Sequence, residues 1–321
     1  MQFKEVQLLV EKSVKELSYP TKPSNLYDPI AYIMSLGGKR MRPCLAIMGS
    51  NMFGGNLKTA LSSAMAVEVF HNFTLLHDDI MDNAPLRRGN VTVHEKWDSN
   101  IAILSGDAML VQAYQHLANG NQNTLKQSLD VFSKTAIEVC EGQQYDMDFE
   151  TQDNVQIEDY LEMIRLKTAV LLGASLKLGA INAEASEKDA ELIYNFGEKV
   201  GIAFQLKDDI LDAYGNPETF GKKLGGDIIE NKKTYLLLKA FELANEFQKS
   251  ELNKSLKIQN EEEKIEEVLS VFNELNIRGL AEQKAQTYFQ EAFKILEEIS
   301  VSEEKKKPLL DLVKFLISRM S

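Results

Sequence analysis

The sequence contains little cysteine, proline or histidine, with 2, 7 and 4 residues respectively in a chain of 321. The two cysteines, Cys44 and Cys140, exclude a disulfide framework and a cysteine-based zinc site. No window approaches the run of about 18 apolar residues that a membrane-spanning helix needs. The N-terminus also lacks the hydrophobic segment of a signal peptide. These absences predict a cytoplasmic protein without a membrane span.

Acidic residues outnumber basic ones, 48 to 36, and the formal net charge is −12. This balance argues against non-specific binding of nucleic acid, so we expect no nucleic-acid partner. It does not exclude a small anionic substrate, because a local cluster of basic side chains matters more for binding than the total charge. The apolar fraction of 44% and the charged fraction of 26% are typical of a globular protein.

Nearly every long segment has helical periodicity. Apolar residues recur at i, i+3, i+4 and i+7 in segments 60–81, 101–118, 124–149, 158–181, 187–214 and 232–248. The prolines fall at the boundaries of such segments, and no convincing strand is found. Segments that are apolar over most of their circumference, such as 60–81 and 163–180, belong in the centre of a large bundle. The pattern predicts an all-α protein.

The composition changes beyond residue 249, where Glu, Lys and Gln dominate. Such a composition is typical of amphipathic outer helices with solvated faces. No linker is long enough to separate two domains. We therefore predict a single domain over residues 1–321, with the motifs in a core at about 30–240 and outer helices at about 241–321.

Two copies of one acidic pentapeptide stand in this helical sequence, DDIMD at 78–82 and DDILD at 208–212. On a helix the first and fifth residues of each copy share a face, where like charges repel by a few tenths of a kcal/mol. A matched pair of such motifs in apolar surroundings indicates that a cation binds between the carboxylates.

Sparse carboxylates favour Mg²⁺, which keeps several waters and is usually completed by substrate phosphates. An EF-hand is excluded, because its ligands alternate within a 12-residue loop that contains glycine. Zinc is disfavoured, because no cluster of cysteine or histidine accompanies the aspartates.

The helix that enters the first acidic motif carries a polar stripe. His71, Thr74, Leu75, Asp78 and Asp82 fall at i, i+3, i+4, i+7 and i+11, which is one face of a helix. A histidine alone would more often be a core residue with its hydrogen bonds satisfied. Because this one shares a face with two carboxylates, we expect the stripe to line a polar cavity.

Three basic clusters flank the acidic motifs: GGKRMRP at 37–43, RRG at 87–89, and GKKLGGD at 221–227 with the lysines at 232–233. Arginine makes bidentate contacts with phosphate, and the N–H groups at a helix start favour anions. Neither glycine cluster is a P-loop, since the GxxxxGK[ST] pattern is absent. Three clusters around two metal motifs predict a phosphorylated substrate.

With these motifs in view, the chain resembles the trans-isoprenyl diphosphate synthases over roughly residues 30–240. The matching pieces are GGKRMRP at 37–43, HDDIMD at 77–82, RRG at 87–89, GQQYD at 142–146, KT at 167–168, FQLKDDILD at 204–212, GK at 221–222 and NKKT at 231–234. The resemblance implies an all-α isoprenoid-synthase bundle around a deep central cavity, and a homodimer. It implies condensation of isopentenyl diphosphate with dimethylallyl, geranyl or farnesyl diphosphate.

The resemblance also implies which residues bind metal. Asp78, Asp82 and Asp208 match the ligands of a cluster of three Mg²⁺ ions that holds the allylic diphosphate. Residues that match partners acting through water, or orienting the direct ligands, are Asp79, Gln143, Asp146, Asp209 and Asp212.

Substrate contacts follow from the same resemblance. Residues that match the isopentenyl diphosphate site are Lys39, Arg42, His71 and Arg88. Residues that match contacts to the allylic diphosphate are Arg87, Lys167 and Lys232, with either Lys222 or Lys223. Thr168 and Gln205 would border the developing allylic cation, and with Lys167 they form the expected catalytic group.

The implied reaction needs no conventional base or nucleophile. Ionisation of the allylic diphosphate is followed by attack of the isopentenyl double bond and by loss of a proton, for which a diphosphate oxygen is the expected acceptor. Phe73 lies about 7–8 Å before Asp78 along the helix, while Thr74 is small. Family members use an aromatic residue at the position of Phe73 to limit elongation. The first acidic motif also lacks the two-residue insertion of many bacterial farnesyl synthases. We expect a C15–C20 product, with geranylgeranyl favoured over farnesyl and core packing of Phe73 as the alternative.

Three other interpretations are open. A class I terpene cyclase shares one aspartate motif, but it usually has an Asn/Ser/Glu pattern in place of the second and needs no isopentenyl site. A non-catalytic partner subunit would be expected to have lost motif aspartates. A magnesium-binding structural protein would explain the acidic motifs but leave the three basic clusters without a role.

Overall fold

The computed structural model describes residues 1–215 and 224–319, and the all-α class is confirmed. The first half contains α1 (Phe3–Lys15), α2 (Ser24–Ser35), α3 (Met41–Met52), α4 (Leu57–Met81), β1 (Leu86–Arg87), β2 (Asn90–Val91), α5 (Val93–Lys96), α6 (Ser99–Ala118), a 3₁₀ turn (Gln122–Thr124) and α7 (Leu125–Thr151). The second half contains α8 (Ile157–Ile164), a π-helical segment (Arg165–Ala169), α9 (Val170–Asn182), α10 (Glu187–Tyr214), α11 (Gly226–Ile229), α12 (Tyr235–Leu243), α13 (Glu246–Ser255), α14 (Glu261–Glu274), α15 (Ile277–Glu298) and α16 (Glu303–Arg319).

The prediction that no strand is present is wrong in one place. Strands β1 and β2 pair antiparallel, with Leu86 opposite Val91 and Arg87 opposite Asn90. Arg88 and Gly89, between them, both have positive φ, 54° and 75°, which is the geometry of a tight hairpin turn. Strands of two residues are too short to produce an alternating pattern, so periodicity could not reveal them.

The continuous helix predicted over 158–181 is interrupted. Residues Arg165–Ala169 form a π-helical turn, a local widening that frequently marks functional sites. The expectation that prolines lie at boundaries also fails twice, because Pro29 and Pro308 lie inside α2 and α16. Each is the sixth residue of its helix, where the missing N–H removes one hydrogen bond of the helical ladder.

The contacts divide the chain into two compact units. Unit 1 comprises Met1–Ala136, Leu171–Tyr194 and Glu298–Lys314. Unit 2 comprises Ile137–Val170, Asn195–Glu297 and Phe315–Ser321. A single domain over 1–321 stays a prediction.

Unit 1 is organised around α4, which packs against α3 and α6. Asn56 caps the start of α4 by accepting a hydrogen bond from the backbone N–H of Lys58 at 2.8 Å. The helix is apolar on most sides, and side chains such as Phe70 and Leu76 are almost completely buried. This burial explains why polar residues on α4 require specific partners.

Unit 2 has its own apolar core. Strongly buried side chains from α8, α10 and α12–α15 pack together, among them Tyr160, Leu206, Phe272 and Ala285. The outer helices begin with side-chain caps, as where Asn260 accepts from the N–H of Glu263 at 3.0 Å. The Glu-rich sequence after residue 260 therefore forms amphipathic helices around a dry interior, as the composition predicts. Within the described residues, every helix is too short or too polar to cross a lipid bilayer.

Candidate active site

At the start of the polar stripe of α4, the side chain of His71 contacts that of Arg42. Nη1 of Arg42, in the first turn of α3, lies 3.1 Å from Nε2 of His71. Burial lowers the pKa of Arg42 to about 10; the charge of Glu68 opposes this shift and the charge of Arg88 adds to it. Burial, followed by the charges of Arg42 and Arg88, holds the pKa of His71 well below its usual value. His71 is therefore neutral in the folded chain and can accept a hydrogen bond from the guanidinium.

Two buried atoms of this contact are available to a ligand. Within the described residues, neither Nδ1 of His71 nor Nε of Arg42 has a hydrogen-bond partner. Buried polar atoms without partners are costly, and a ligand that supplied the partner would remove that cost. The geometry suits an anion that both side chains can approach.

The loop before α3 brings further positive charge to this place. The guanidinium of Arg88 donates to the carbonyl oxygen of Gly37, and Lys39 is exposed two residues further along. Gly38 adopts a φ of 133° beside Arg88, where a Cβ would lie 2.9 Å from the guanidinium carbon. A glycine is required there for the two segments to approach.

The hairpin carries Arg87 to the acidic end of α4. Nη2 of Arg87 lies 3.1 Å from Oδ2 of Asp78, and the same group contacts Asp79. Burial raises the pKa of Asp79, while its hydrogen bond with Arg87 opposes that shift. Asp82 ends the helix on the exposed side, with its N–H bonded to the carbonyl of Asp78 at 2.9 Å. The three predicted acidic residues therefore lie together, and one arginine already neutralises part of their charge.

The residues predicted to limit chain length lie between the anion site and the acidic motif. Phe73 is 8% exposed and packs its ring against Phe70 and His77, at centroid distances of 5.6 and 4.8 Å. Thr74 donates its hydroxyl to the carbonyl of His71 at 2.8 Å, so its methyl group is left for packing. Phe73 thus has a fixed position within an aromatic cluster.

The second acidic motif lies on α10 in unit 2. Asp208 is exposed, whereas Asp209 is 4% exposed and accepts a hydrogen bond from the hydroxyl of Tyr160. Nε2 of Gln205 donates to Asp209 at 3.3 Å. Burial, and then the charge of Asp227, raises the pKa of Asp209 to about 7. Carboxylates are therefore crowded here, and a cation would be favoured.

The fifth residue of this motif is held by the short helix α11. Asp212 accepts a hydrogen bond from the N–H of Asp227 at 3.0 Å, and its own carbonyl accepts from Gly225 at 2.7 Å. Gly225 has a φ of 74°, which a residue with a side chain rarely adopts. Gly225 of the third basic cluster is thus bonded directly to the acidic motif.

The π-helical segment positions the catalytic lysine predicted from the sequence. Lys167 donates to Asp146 at 2.6 Å, and Lys232 lies 4.0 Å from the same carboxylate. Thr168 is half-buried beside Lys167. Gly142 permits this arrangement, because a Cβ there would lie 2.2 Å from the backbone nitrogen of Lys167. Two lysines are thereby gathered around one aspartate.

Three predicted site residues remain, namely Gln143, Lys222 and Lys223. Among the residues that the structure describes, the buried amide nitrogen of Gln143 has no hydrogen-bond partner. Lys222 and Lys223 lie outside the described residues.

The donor set fits a hard divalent cation. Around the two acidic motifs the available ligands are carboxylate oxygens, which Mg²⁺ prefers. Across residues 1–215 and 224–319, no three His, Cys, Asp or Glu side chains form a complete metal-binding group.

Sequence reasoning gave no role to four residues that organise these sites, although two of them, Arg40 and Asp227, lie within its basic clusters: Arg40 and Glu68 near His71, and Tyr160 and Asp227 near Asp209. Glu68 could have been found, because it precedes His71 by one helical turn on α4. The other three depend on contacts between segments far apart in sequence, which no local pattern reports.

Comparison with known proteins adds a family. The model of the polyprenyl synthetase family matches residues 23–275. The geranylgeranyl diphosphate synthase of Methanosarcina mazei is 43% identical over 235 residues, which cover 73% of this chain and 72% of that protein. The geranylfarnesyl diphosphate synthase of Natronomonas pharaonis is 35% identical over 250 residues, covering 72% and 73% respectively.

A solved structure agrees over the whole length. The crystal structure of a geranylgeranyl pyrophosphate synthase is similar with a TM-score of 0.95 and 48% identity, and 100% of both chains is covered. The fold and the order of motifs are thus those of one family. The chain belongs to the polyprenyl synthetase family and is a trans-prenyltransferase that joins isopentenyl diphosphate to an allylic diphosphate.

Proposed function

We propose that this enzyme makes geranylgeranyl diphosphate, the C20 product, through successive additions of isopentenyl diphosphate. The chain resembles geranylgeranyl synthases of known structure and sequence. Assembly as a homodimer and a cytoplasmic location stay predictions.

The observation that carries the proposed use of two diphosphate substrates is the distribution of charge along α4. The Arg42–His71 contact forms a basic site on this helix, and Asp78 lies seven residues further on, about 10 Å at 1.5 Å per residue. One rigid helix therefore presents an anion site and an acidic motif at a fixed separation. Two diphosphate substrates need that combination, one held directly by cationic side chains and one through metal.

Each basic residue of this region has a role in binding isopentenyl diphosphate. Arg42 and His71 would contact the diphosphate through their buried nitrogens, and Lys39 and Arg88 would approach it from the loop and the hairpin. Held in this way, the double bond of the substrate is oriented before the reaction begins.

Residues of unit 2 would act on the allylic substrate. Lys167 and Lys232 would hold its diphosphate, together with Arg87 and either Lys222 or Lys223. Thr168 and Gln205 would present oxygen atoms towards the positive charge that develops on carbon.

We also propose that the metal is magnesium, in three ions, held directly by Asp78, Asp82 and Asp208. When bound, these ions supply positive charge that stabilises the departing diphosphate. Asp79, Asp209 and Asp212 are bonded to Arg87, Tyr160 and α11 respectively, and we assign them a role behind the direct ligands. Gln143 and Asp146 would act in the same way.

Purified protein supplied with Mg²⁺, isopentenyl diphosphate and farnesyl diphosphate should release diphosphate. The variants Asp78→Asn and Asp208→Asn should lower the rate at least about 100-fold, since each removes a proposed ligand of the ions whose positive charge stabilises the departing diphosphate. Asp130→Asn is the matched control, because Asp130 only pairs with Lys126 on an exposed helix face. A pair of aspartate variants as active as the control would refute the proposed metal sites.

A further inference from the structure

The buried ion pair between Arg40 and Glu68 lies beside the isopentenyl site and has no role in the function proposed above. Arg40 is 7% exposed and Glu68 is 1% exposed. The guanidinium of Arg40 contacts the Glu68 carboxylate and donates to the carbonyl of Met34 at 2.8 Å. Nδ2 of Asn72 completes the cluster by donating to the same carboxylate at 2.9 Å.

This pair joins the two segments that form the isopentenyl site. Arg40 stands two residues before Arg42 at the start of α3, and Glu68 stands one helical turn before His71 on α4. The Arg40–Glu68 and Arg42–His71 contacts therefore connect α3 to α4 at adjacent points.

The backbone at Arg40 shows how strongly its position is determined. Arg40 has φ 49° and ψ 36°, the left-handed conformation that residues with side chains disfavour. Such a conformation persists only where the surroundings hold it. The buried carboxylate of Glu68 and the carbonyl of Met34 hold the side chain of Arg40. Lys39 and Arg42 lie on either side of Arg40, so its backbone conformation sets the positions of both.

The Arg40–Glu68 pair also affects the charge balance of the site, because Glu68 offsets some of its positive charge. The positive charges of four arginines lower the pKa of His71: Arg42, Arg88, Arg87 and Arg40. Glu68 is the acidic side chain that opposes this effect on Arg42. Without it, the cations would repel one another before any diphosphate arrived.

We propose that Glu68, acting through Arg40, is a positioning residue that preorganises the isopentenyl diphosphate site. The inference rests on the proposed function, because it assigns Arg42 and His71 to that substrate. Glu68 itself does not touch substrate. It fixes the cations in place, so that binding does not have to assemble them.

The test is the Glu68→Gln variant, which keeps the size of the side chain but removes its charge. We expect KM for isopentenyl diphosphate to rise roughly tenfold or more, because a displaced binding group weakens that substrate selectively. KM for farnesyl diphosphate and kcat at saturation should stay within about threefold of wild type. Glu191→Gln is the matched control, since Glu191 pairs with Lys177 elsewhere in unit 1 and is half exposed. It should change neither KM.

A double variant, Arg40→Met with Glu68→Met, separates positioning from stability. Buried ion pairs can often be replaced by apolar residues without loss of stability. We expect this protein to melt near the wild-type temperature while its KM for isopentenyl diphosphate stays raised. A folded Glu68→Gln or double variant with wild-type KM overturns the inference. So does failure of both to fold, because the pair would then serve the fold alone. A wild-type enzyme that is inactive with every starter would instead count against the proposed function.

Discussion

Tyr160 donates its hydroxyl hydrogen to Asp209, and both side chains are almost completely buried. The two residues lie on α8 and α10, 49 positions apart in sequence. A buried carboxylate requires such a partner, because an unpaired charge in an apolar interior is costly. The contact therefore anchors the second acidic motif to the core of unit 2.

Replacement of Tyr160 by phenylalanine tests this anchor. The Tyr160→Phe variant keeps the ring but removes the donor, so we expect the free energy of unfolding to fall by about 1–3 kcal/mol. Urea unfolding measures the change. Tyr145→Phe is the control for stability, because Tyr145 is 45% exposed and the variant keeps the ring that packs against Phe149. Equal effects of the two variants would mean that the buried hydrogen bond contributes nothing.

The depressed pKa of His71 predicts a dependence of stability on pH. The folded chain keeps His71 neutral, whereas the unfolded chain binds a proton there as the pH falls below about 6.5. More protons bound in the unfolded state means that stability rises with pH and is lost on acidification. The slope from one such group is at most about 1.4 kcal/mol per pH unit.

This prediction is checked by urea unfolding of wild type and His71→Gln between pH 7.5 and pH 5. The wild-type free energy of unfolding should fall more steeply with acid than that of the variant. Parallel curves would show that His71 titrates alike in the folded and unfolded chains.

A methyl group at Gly142 should disturb the segment that carries Lys167. The added Cβ would meet backbone atoms of Leu166 and Lys167, which cannot rotate away. We expect Gly142→Ala to lower stability by about 1–3 kcal/mol through overpacking, and to lower kcat by moving the lysine. In the control, Gly279→Ala, the close atoms belong to the exposed side chain of Asn276. That change should stay within about 1 kcal/mol of wild type.

Phe73 should limit the length of the product. The Phe73→Ala variant removes a ring whose position is fixed by Phe70 and His77, so the growing chain gains room and products longer than C20 should appear. Mass spectrometry of the products measures this. Phe247→Ala is the control, because Phe247 is 72% exposed on α13. An unchanged product from Phe73→Ala would assign the limit to another helix.

The sequence predicted much of this molecule, for reasons that differ between its parts. The extent of α4 follows from unbroken apolar periodicity and is confirmed at Leu57–Met81. The π-helical turn at Arg165–Ala169 was missed, because one widened turn barely alters that periodicity. The hairpin that carries Arg87 was missed because its strands have two residues each.

The candidate site shows the same division. The spacing within the two acidic motifs predicted a cation site, whereas the roles of Asp78 and Asp208 as direct ligands follow from the family resemblance and stay predictions. Tyr160 could not, because its role comes from a contact made only after α8 and α10 have packed. Glu68 is intermediate, since its helix face was predictable but its partner Arg40 was not.

The most direct test of the account is the mass of the product. Purified enzyme is incubated with Mg²⁺, excess isopentenyl diphosphate and dimethylallyl, geranyl or farnesyl diphosphate in separate reactions, and the prenyl chains are identified by mass spectrometry. The account predicts geranylgeranyl diphosphate as the main product from each active starter, with one diphosphate released per isopentenyl unit added. Diphosphate release without chain elongation, or no release with any of the three starters, would contradict it.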